Sequence, residues 1–276
     1  MDEQIKHLVN KTWVSRAPNR PRPAIGCAVA SLIQTPSRIQ SSAYPSNCSQ
    51  STAKFCCTAD DARLMIAVSG IPGSGKTELA QSISKRINQI YASESPSAPP
   101  ISTALPMDGF HLTRAQLAAM PDPEHAFARR GAEFTFDGEK FLGLVKKLQE
   151  PITAETKDVH APSFDHAVKD PVEDDITIPA TCRVVLFEGN YLSLDKEPWR
   201  ETAKLMDELW FVDVDFEVAR KRLIRRHIKA GIAKNEEEGN KRAKENDLVN
   251  GQEIVDFRLP VQEIVKSVYD PSWEEP

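Results

Sequence analysis

The feature that most restricts what this chain can fold into is the run Gly70-Ile71-Pro72-Gly73-Ser74-Gly75-Lys76-Thr77. It fits the pattern G-x-x-x-x-G-K-[ST]. Glycines at these positions let successive backbone N–H groups point inward around a phosphate. A helix beginning at the lysine adds the positive end of its dipole. The pattern has chemical meaning only between a strand and a helix, and the flanking residues supply both. Residues 64–69 form a short apolar run suited to a buried strand. Over 77–91, Leu79, Ile83, Ile87 and Ile90 recur at helical spacing. In such a loop Lys76 reaches the β- and γ-phosphates and the Thr77 hydroxyl binds Mg²⁺.

Further strands are expected at 102–107, 183–187 and 208–212. Between them lie helical stripes. Asp137 is placed to cap a helix carrying Phe141, Leu144, Val145 and Leu148, and Asp215 to cap another that Gly231 ends. Asn235 with Glu238 forms a capping-box pattern. Strands alternating with helices imply an α/β protein with a mostly parallel sheet flanked by helices. No internal repeat is visible.

The first 62 residues read differently. They hold seven Lys/Arg against Asp2, Glu3, Asp60 and Asp61, a net of +3, so the rest of the chain carries −5 − 3 = −8. Residues 3–15 suit a short helix with Ile5, Leu8, Val9 and Trp13 on one face. Residues 17–58 turn to Pro, Ser, Asn and Gln and read as a flexible tail. We therefore divide the chain into an N-terminal helix and tail, 1–62, with 24–61 read as an insertion, and a catalytic domain, 63–276.

Composition narrows the function. No run approaches 18 apolar residues, so no transmembrane helix is expected. Cys27, Cys48, Cys56, Cys57 and Cys182 follow no zinc spacing, and no secretory signal is expected, so reduced thiols in the cytoplasm are the expectation. The acid-free N-terminal stretch fits a mitochondrial transit peptide less well, because Asp2 and Glu3 begin the chain. A net charge of −5 argues against a general nucleic-acid or membrane-surface binder.

A phosphate-binding loop alone does not choose among GTPase, ATPase motor and kinase. A GTPase should carry Asn-Lys-x-Asp, and the nearest text, Asn240-Lys241-Arg242-Ala243, lacks the aspartate. A motor commonly ends its second acidic strand in Asp-Glu, whereas residues 184–187 run into a lone Glu188. A small-molecule kinase remains, with Glu188 beside the loop to hold a Mg²⁺-bound water. Asp108, after the second strand, lies where ligands of open α/β sheets bind and is suited to take the proton of an alcohol acceptor.

These residues resemble the phosphoribulokinase/uridine kinase family of P-loop kinases. The resemblance covers roughly 63–259. It rests on residues 70–77 and 107–111, on Arg130-Gly131 with Phe136-Asp137, on Ser163-Phe164-Asp165-His166, on Phe187-Glu188-Gly189 and on the basic helix after Asp215. It implies a P-loop NTPase fold with a helical lid, ATP and Mg²⁺ as cofactors, Asp108 as catalytic aspartate and Glu188 near the metal. It also implies that Arg129, Arg130, Asp165 and His166 face the acceptor. The Phe-Asp-His triplet lacks the tyrosine common in uridine kinases, which argues against uridine.

Residues 220–229 hold six Lys/Arg in ten, and Arg222, Arg225, Arg226 and Lys229 share a helical face. Such a stripe serves a solvated surface, a nucleic-acid contact or a lid that stabilises charge on the transferring phosphoryl. The lid reading, with Arg222 and Arg226 as catalytic arginines, suits an acidic domain best. Residues 245–251 form a polar cluster that either approaches the nucleotide base or ends a helix. The histidines lack ligand spacing for zinc, and Cys182 reads as core. The acceptor, a small molecule with a hydroxyl, and the oligomeric state stay open; uridine or cytidine kinase and an ATP-binding regulatory protein are the competing readings.

Overall fold

All seven residues of β1 (Leu64–Gly70) are buried, as a central strand covered on both faces requires. The computed structural model describes residues 2–13, 55, 58–165 and 167–267. In chain order the elements are α1 (Asp2–Thr12), β1, α2 (Lys76–Glu94), β2 (Ser102–Pro106), α3 (Arg114–Ala118), α4 (Pro123–Ala128) and α5 (Gly138–Gln149). Then come β3 (Val159–Asp165), β4 (Asp170–Ile178), β5 (Val184–Gly189), α6 (Trp199–Lys204) and β6 (Glu208–Asp213). The chain continues through α7 (Phe216–Lys229), α8 (Glu236–Arg242), a π-helical turn (Ala243–Asp247), α9 (Leu248–Asp256) and β7 (Glu263–Lys266).

Five strands form one parallel sheet in the order β2-β5-β1-β6-β7. Successive β1 side chains serve opposite faces. Leu64, Ile66 and Val68 meet Leu79, Ile83 and Ile87 of α2 together with Leu8 and Val9 of α1. Met65 and Ala67 belong to the other core, with Phe141, Val145 and Leu148 of α5 and Trp199 of α6. The expected strands thus appear, each shifted by at most two residues. Asp137 and Asp215 cap α5 and α7 as read. At α8 the Asn235 side chain accepts from the Glu238 N–H, but Glu238 reaches back to the Lys234 N–H, one residue before the box position.

α1 stops at Thr12, whose hydroxyl bonds back to the Leu8 carbonyl at 2.8 Å, and Trp13 turns into the core. The Trp13 ring stacks on Phe55 with centroids 4.9 Å apart and meets Tyr91 edge-on. Lys11 fastens the helix to the sheet, lying 2.9 Å from buried Glu208 on β6 and 2.7 Å from Glu263 on β7. Of the stretch read as a flexible tail, only Phe55 and Thr58 are described, and the remainder lies outside the described residues.

Residues 157–175 show no clear period in the sequence. They form most of an antiparallel hairpin, β3–β4, whose register shifts between Ala161 and Ser163. The hairpin lies on the 3-10 turn Met107–Phe110 that follows β2. The contact is so close that a Cβ on Gly109 would sit 2.0 Å from the Pro162 carbonyl oxygen.

Candidate active site

The loop between β1 and α2 takes its shape from two glycines in the left-handed region, Gly73 at φ 81° and Gly75 at φ 89°. Side chains rarely adopt such values, and they are what turns consecutive N–H groups to one side. The Ser74 hydroxyl inside the loop is buried and has no hydrogen-bond partner within the protein. A cradle of amides with an orphan hydroxyl fits a phosphate chain.

Sheet order brings the charged groups together. β5 lies between β1 and β2, so Glu188 is level with Val68 on one side and Pro106 on the other. Asp108 follows two residues beyond Pro106, in the 3-10 turn. Lys76 opens α2 from the loop. Burial pulls the Lys76 ammonium below the usual lysine range, Glu188 and Asp108 draw it back up, and Arg226 lowers it further. Burial pushes the Glu188 carboxyl well above the usual carboxylate range. Lys76, a hydrogen bond from Thr77 and Arg226 oppose that rise, while Asp108 adds to it. Thr77, Lys76, Glu188, Asp108 and Arg226 therefore form one electrostatic group. Thr77 and Glu188 offer only oxygen donors, which suits Mg²⁺ with its remaining positions filled by water and phosphate oxygens.

The two arginines read as lid residues diverge. Arg226 lies on the exposed side of α7 and acts on Lys76 and Glu188. Arg222 instead reaches the outside of the loop, donating from Nη1 to the Gly73 carbonyl at 3.2 Å and to the Ser267 hydroxyl at 2.9 Å. Arg220 is held by Glu217 and Asn240, so the basic stripe is divided among separate tasks.

The residues read as acceptor-facing fall into two places. Arg130 donates to the Leu112 carbonyl at 3.0 Å, pairs with Asp170 at 3.4 Å and lies over the Phe164 ring. Phe164 in turn contacts His111, whose Nδ1 is 2.8 Å from the Asp108 carbonyl. This links Arg130 to the Asp108 turn. Arg129 turns the other way, to the Asn250 amide oxygen at 2.5 Å and the Glu245 carbonyl. The Asp165 carboxylate accepts from the Ala167 and Val168 N–H groups, which caps the hairpin tip. His166 lies outside the described residues. Glu133 is occupied by Lys196 at 2.5 Å and by Trp199 at 3.1 Å.

Sequence reading missed the role of the 245–251 cluster. The helix does not end there but passes through the π-helical turn into α9. That turn clasps the 128–131 segment. Arg242 and Asn246 donate to the Arg130 carbonyl at 3.1 and 3.0 Å, and the Tyr191 hydroxyl donates to the Gly131 carbonyl at 2.7 Å. Inserted π turns often occur at functional sites. The available signal was Asn246 and Asn250 four apart, on one helix face.

A parallel sheet in this order, a glycine loop entering a helix, and carboxylates at the end of β5 and just after β2 define a P-loop kinase. The sequence profile of the Phosphoribulokinase / Uridine kinase family matches residues 65–232, and the chain belongs to that family. It is 55% identical over 169 residues to the ATP-dependent kinase-like protein notR' of Aspergillus versicolor, covering 61% of this chain and 96% of that one. A Schizosaccharomyces pombe protein with a provisional uridine kinase name is 43% identical over 188 residues, 68% of this chain and 76% of its own. The crystal structure of YFH7 from Saccharomyces cerevisiae superposes with a TM-score of 0.67 at 25% identity, covering 76% of this chain and 94% of that one. Among the described residues no helix is long and apolar enough to cross a membrane.

Proposed function

We propose that this protein transfers the γ-phosphoryl group of Mg-ATP to an alcohol hydroxyl of a small metabolite. The observation that carries the reading is the grouping of Lys76, Glu188, Asp108 and Arg226 at the mouth of the glycine loop. In this reading the loop amides and Lys76 hold the phosphates, and Thr77 with Glu188 hold the metal, which neutralises phosphate charge. Asp108 accepts the proton of the acceptor hydroxyl as that oxygen forms its bond to phosphorus and the bond to the β-phosphate oxygen breaks. Arg226 lies over the charge that develops on the transferring group. Arg130 and His111, with Phe164 of the hairpin, belong to the acceptor side, next to Asp108. Phosphoryl transfer leaves a protein little covalent work, so positioning and charge supply most of the rate.

The test is a screen of purified protein for acceptor-dependent ADP formation. The panel covers nucleosides, sugars, sugar acids, pantothenate and other vitamin precursors. A hydroxyl compound that accelerates ADP release and appears phosphorylated in stoichiometric amount supports the reading. Uridine or cytidine as that compound would narrow it to a nucleoside kinase. Slow acceptor-independent hydrolysis across the whole panel, with a tightly bound protein partner, would replace it with an ATP-controlled regulator.

A further inference from the structure

Helix α7 is pinned at two places. Near its start it passes the phosphate loop so closely that a Cβ on Gly73 would lie 2.9 Å from the Ala219 carbonyl oxygen. Near its end the His227 side chain is buried, while its neighbour Arg226 is exposed. His227 Nε2–H donates to the Asp247 carboxylate at 2.9 Å. The His227 carbonyl accepts from the Ile232 and Ala233 N–H groups at 2.8 and 3.1 Å, so the chain folds back on this residue. Asp247 closes the π-helical turn, and Asn246 before it is tied to the Arg130 carbonyl at 3.0 Å. The carboxylate that receives His227 therefore sits on a turn that is itself anchored.

Packing alone does not call for histidine at this position. Its Nδ1 is buried and has no hydrogen-bond partner within the protein. A half-satisfied imidazole is a poorer core residue than leucine. What it supplies is one directed bond, and a directed bond fixes an arrangement that apolar contacts leave free to slip. Successive residues of a helix point about 100° apart, so fixing the direction of His227 also fixes that of Arg226.

We propose that His227, held by Asp247, is a positioning residue for Arg226. The pair sets the rotation of the last turn of α7, and with it the reach of the Arg226 guanidinium toward the γ-phosphate end of the nucleotide. The charge of Arg226 already acts there on Lys76 and Glu188. The inference rests on the kinase reading and adds to it a device that aims the arginine.

The experiment compares Mg-ATP with Mg-ADP affinity of the full chain by calorimetry, with melting temperatures alongside and no acceptor needed. Only Mg-ATP carries the γ-phosphate, so a misdirected Arg226 should weaken it selectively. In His227→Leu, Mg-ATP should bind about 3–10-fold more weakly, part of the worth of a charge-assisted hydrogen bond, and Mg-ADP within about twofold of wild type. His227→Gln keeps an N–H donor at the same reach and should restore most of the loss. The double variant His227→Leu/Asp247→Leu replaces the pair by an apolar contact, so it should melt near the wild-type temperature and still bind Mg-ATP weakly. In an Arg226→Ala background His227→Leu should add almost nothing, because the two residues act as one unit. If His227→Leu does not fold, the double variant carries the same comparison. Undiminished Mg-ATP affinity, an equal loss for both nucleotides, or recovery of Mg-ATP affinity in the double variant overturns the assignment. Equal affinity of the wild type for the two nucleotides also overturns it and leaves the kinase reading standing. A wild-type protein that fails to bind Mg-ATP overturns the kinase reading, and this inference with it.

Discussion

At the residue scale the decisive contrast is between Asp108 and Lys76, which share one electrostatic group but are assigned different work. Asp108→Asn removes basicity and keeps size. It also removes a negative charge from the phosphate side, so Mg-ATP should bind as well as before or more tightly. Transfer to an acceptor should fall about 10²–10⁴-fold, the range for a positioned general base. Lys76→Ala should weaken nucleotide binding and transfer together. Calorimetry paired with an acceptor assay reads both variants, and near-normal transfer by Asp108→Asn would reduce the carboxylate to a turn residue. Gly109 gives a third prediction. A methyl group there would lie 2.0 Å from the Pro162 oxygen, so the hairpin must move. Gly109→Ala should cost about 1–3 kcal/mol in urea unfolding. It should also impair acceptor use more than nucleotide affinity, since the displaced hairpin borders Asp108 and not the glycine loop.

At the element scale, α1 is a fastened part of the domain. Glu208 is 2% exposed, and Lys11 brings a cation to it from a different element. Lys11→Ala leaves that carboxylate buried without this partner and should cost on the order of 2–3 kcal/mol. Urea unfolding checks the loss, and a change under about 0.5 kcal/mol, the scatter of ordinary surface substitutions, would show that the helix is held by Leu8 and Val9 alone. The elements legible in the sequence were those whose pattern is local. The apolar runs of β1 and β5, the stripe of α5 and the caps at Asp137 and Asp215 all follow from short-range periodicity. β3 and β4 escaped notice because their exposed faces alternate irregularly and the register shifts at Ala161. β7 is four residues long with one buried side chain, too short for any period to register.

At the scale of the whole molecule, the candidate site was legible where it depends on motif and order. The loop, the strand-end Glu188 and Asp108 were placed from sequence because a parallel sheet brings strand ends to one edge. Arg222 and Arg226 could not be separated, since they are one helical turn apart and only the helix's rotation about its axis decides which meets the loop. The clasp of Asn246 and Asn250 on the 128–131 segment joins residues more than a hundred positions apart. It depends on a π turn that no propensity signals.

The contact between Trp13 and Phe55 has a consequence in polymer terms. The chain departs after Trp13 and is back in contact with it at Phe55, with ring centroids 4.9 Å apart. The meeting point is beside Tyr91, about 22 Å along α2 from Lys76 at 1.5 Å per residue. Trp13 and Phe55, 42 positions apart in sequence, are therefore a fixed pair of positions far from the phosphate cradle. The entropy of holding two chain positions together grows by about 0.6 kcal/mol per doubling of the intervening length, so the length between them is thermodynamically cheap in either direction. Joining Trp13 to Phe55 through five Gly/Ser residues removes roughly three doublings. The shortened protein should unfold with a free energy about 2 kcal/mol higher and bind Mg-ATP unchanged, as urea titration and calorimetry would show. A large loss of stability would instead mean that residues 14–54 bury surface of their own, and that the loop stays long because its contacts outweigh its entropy.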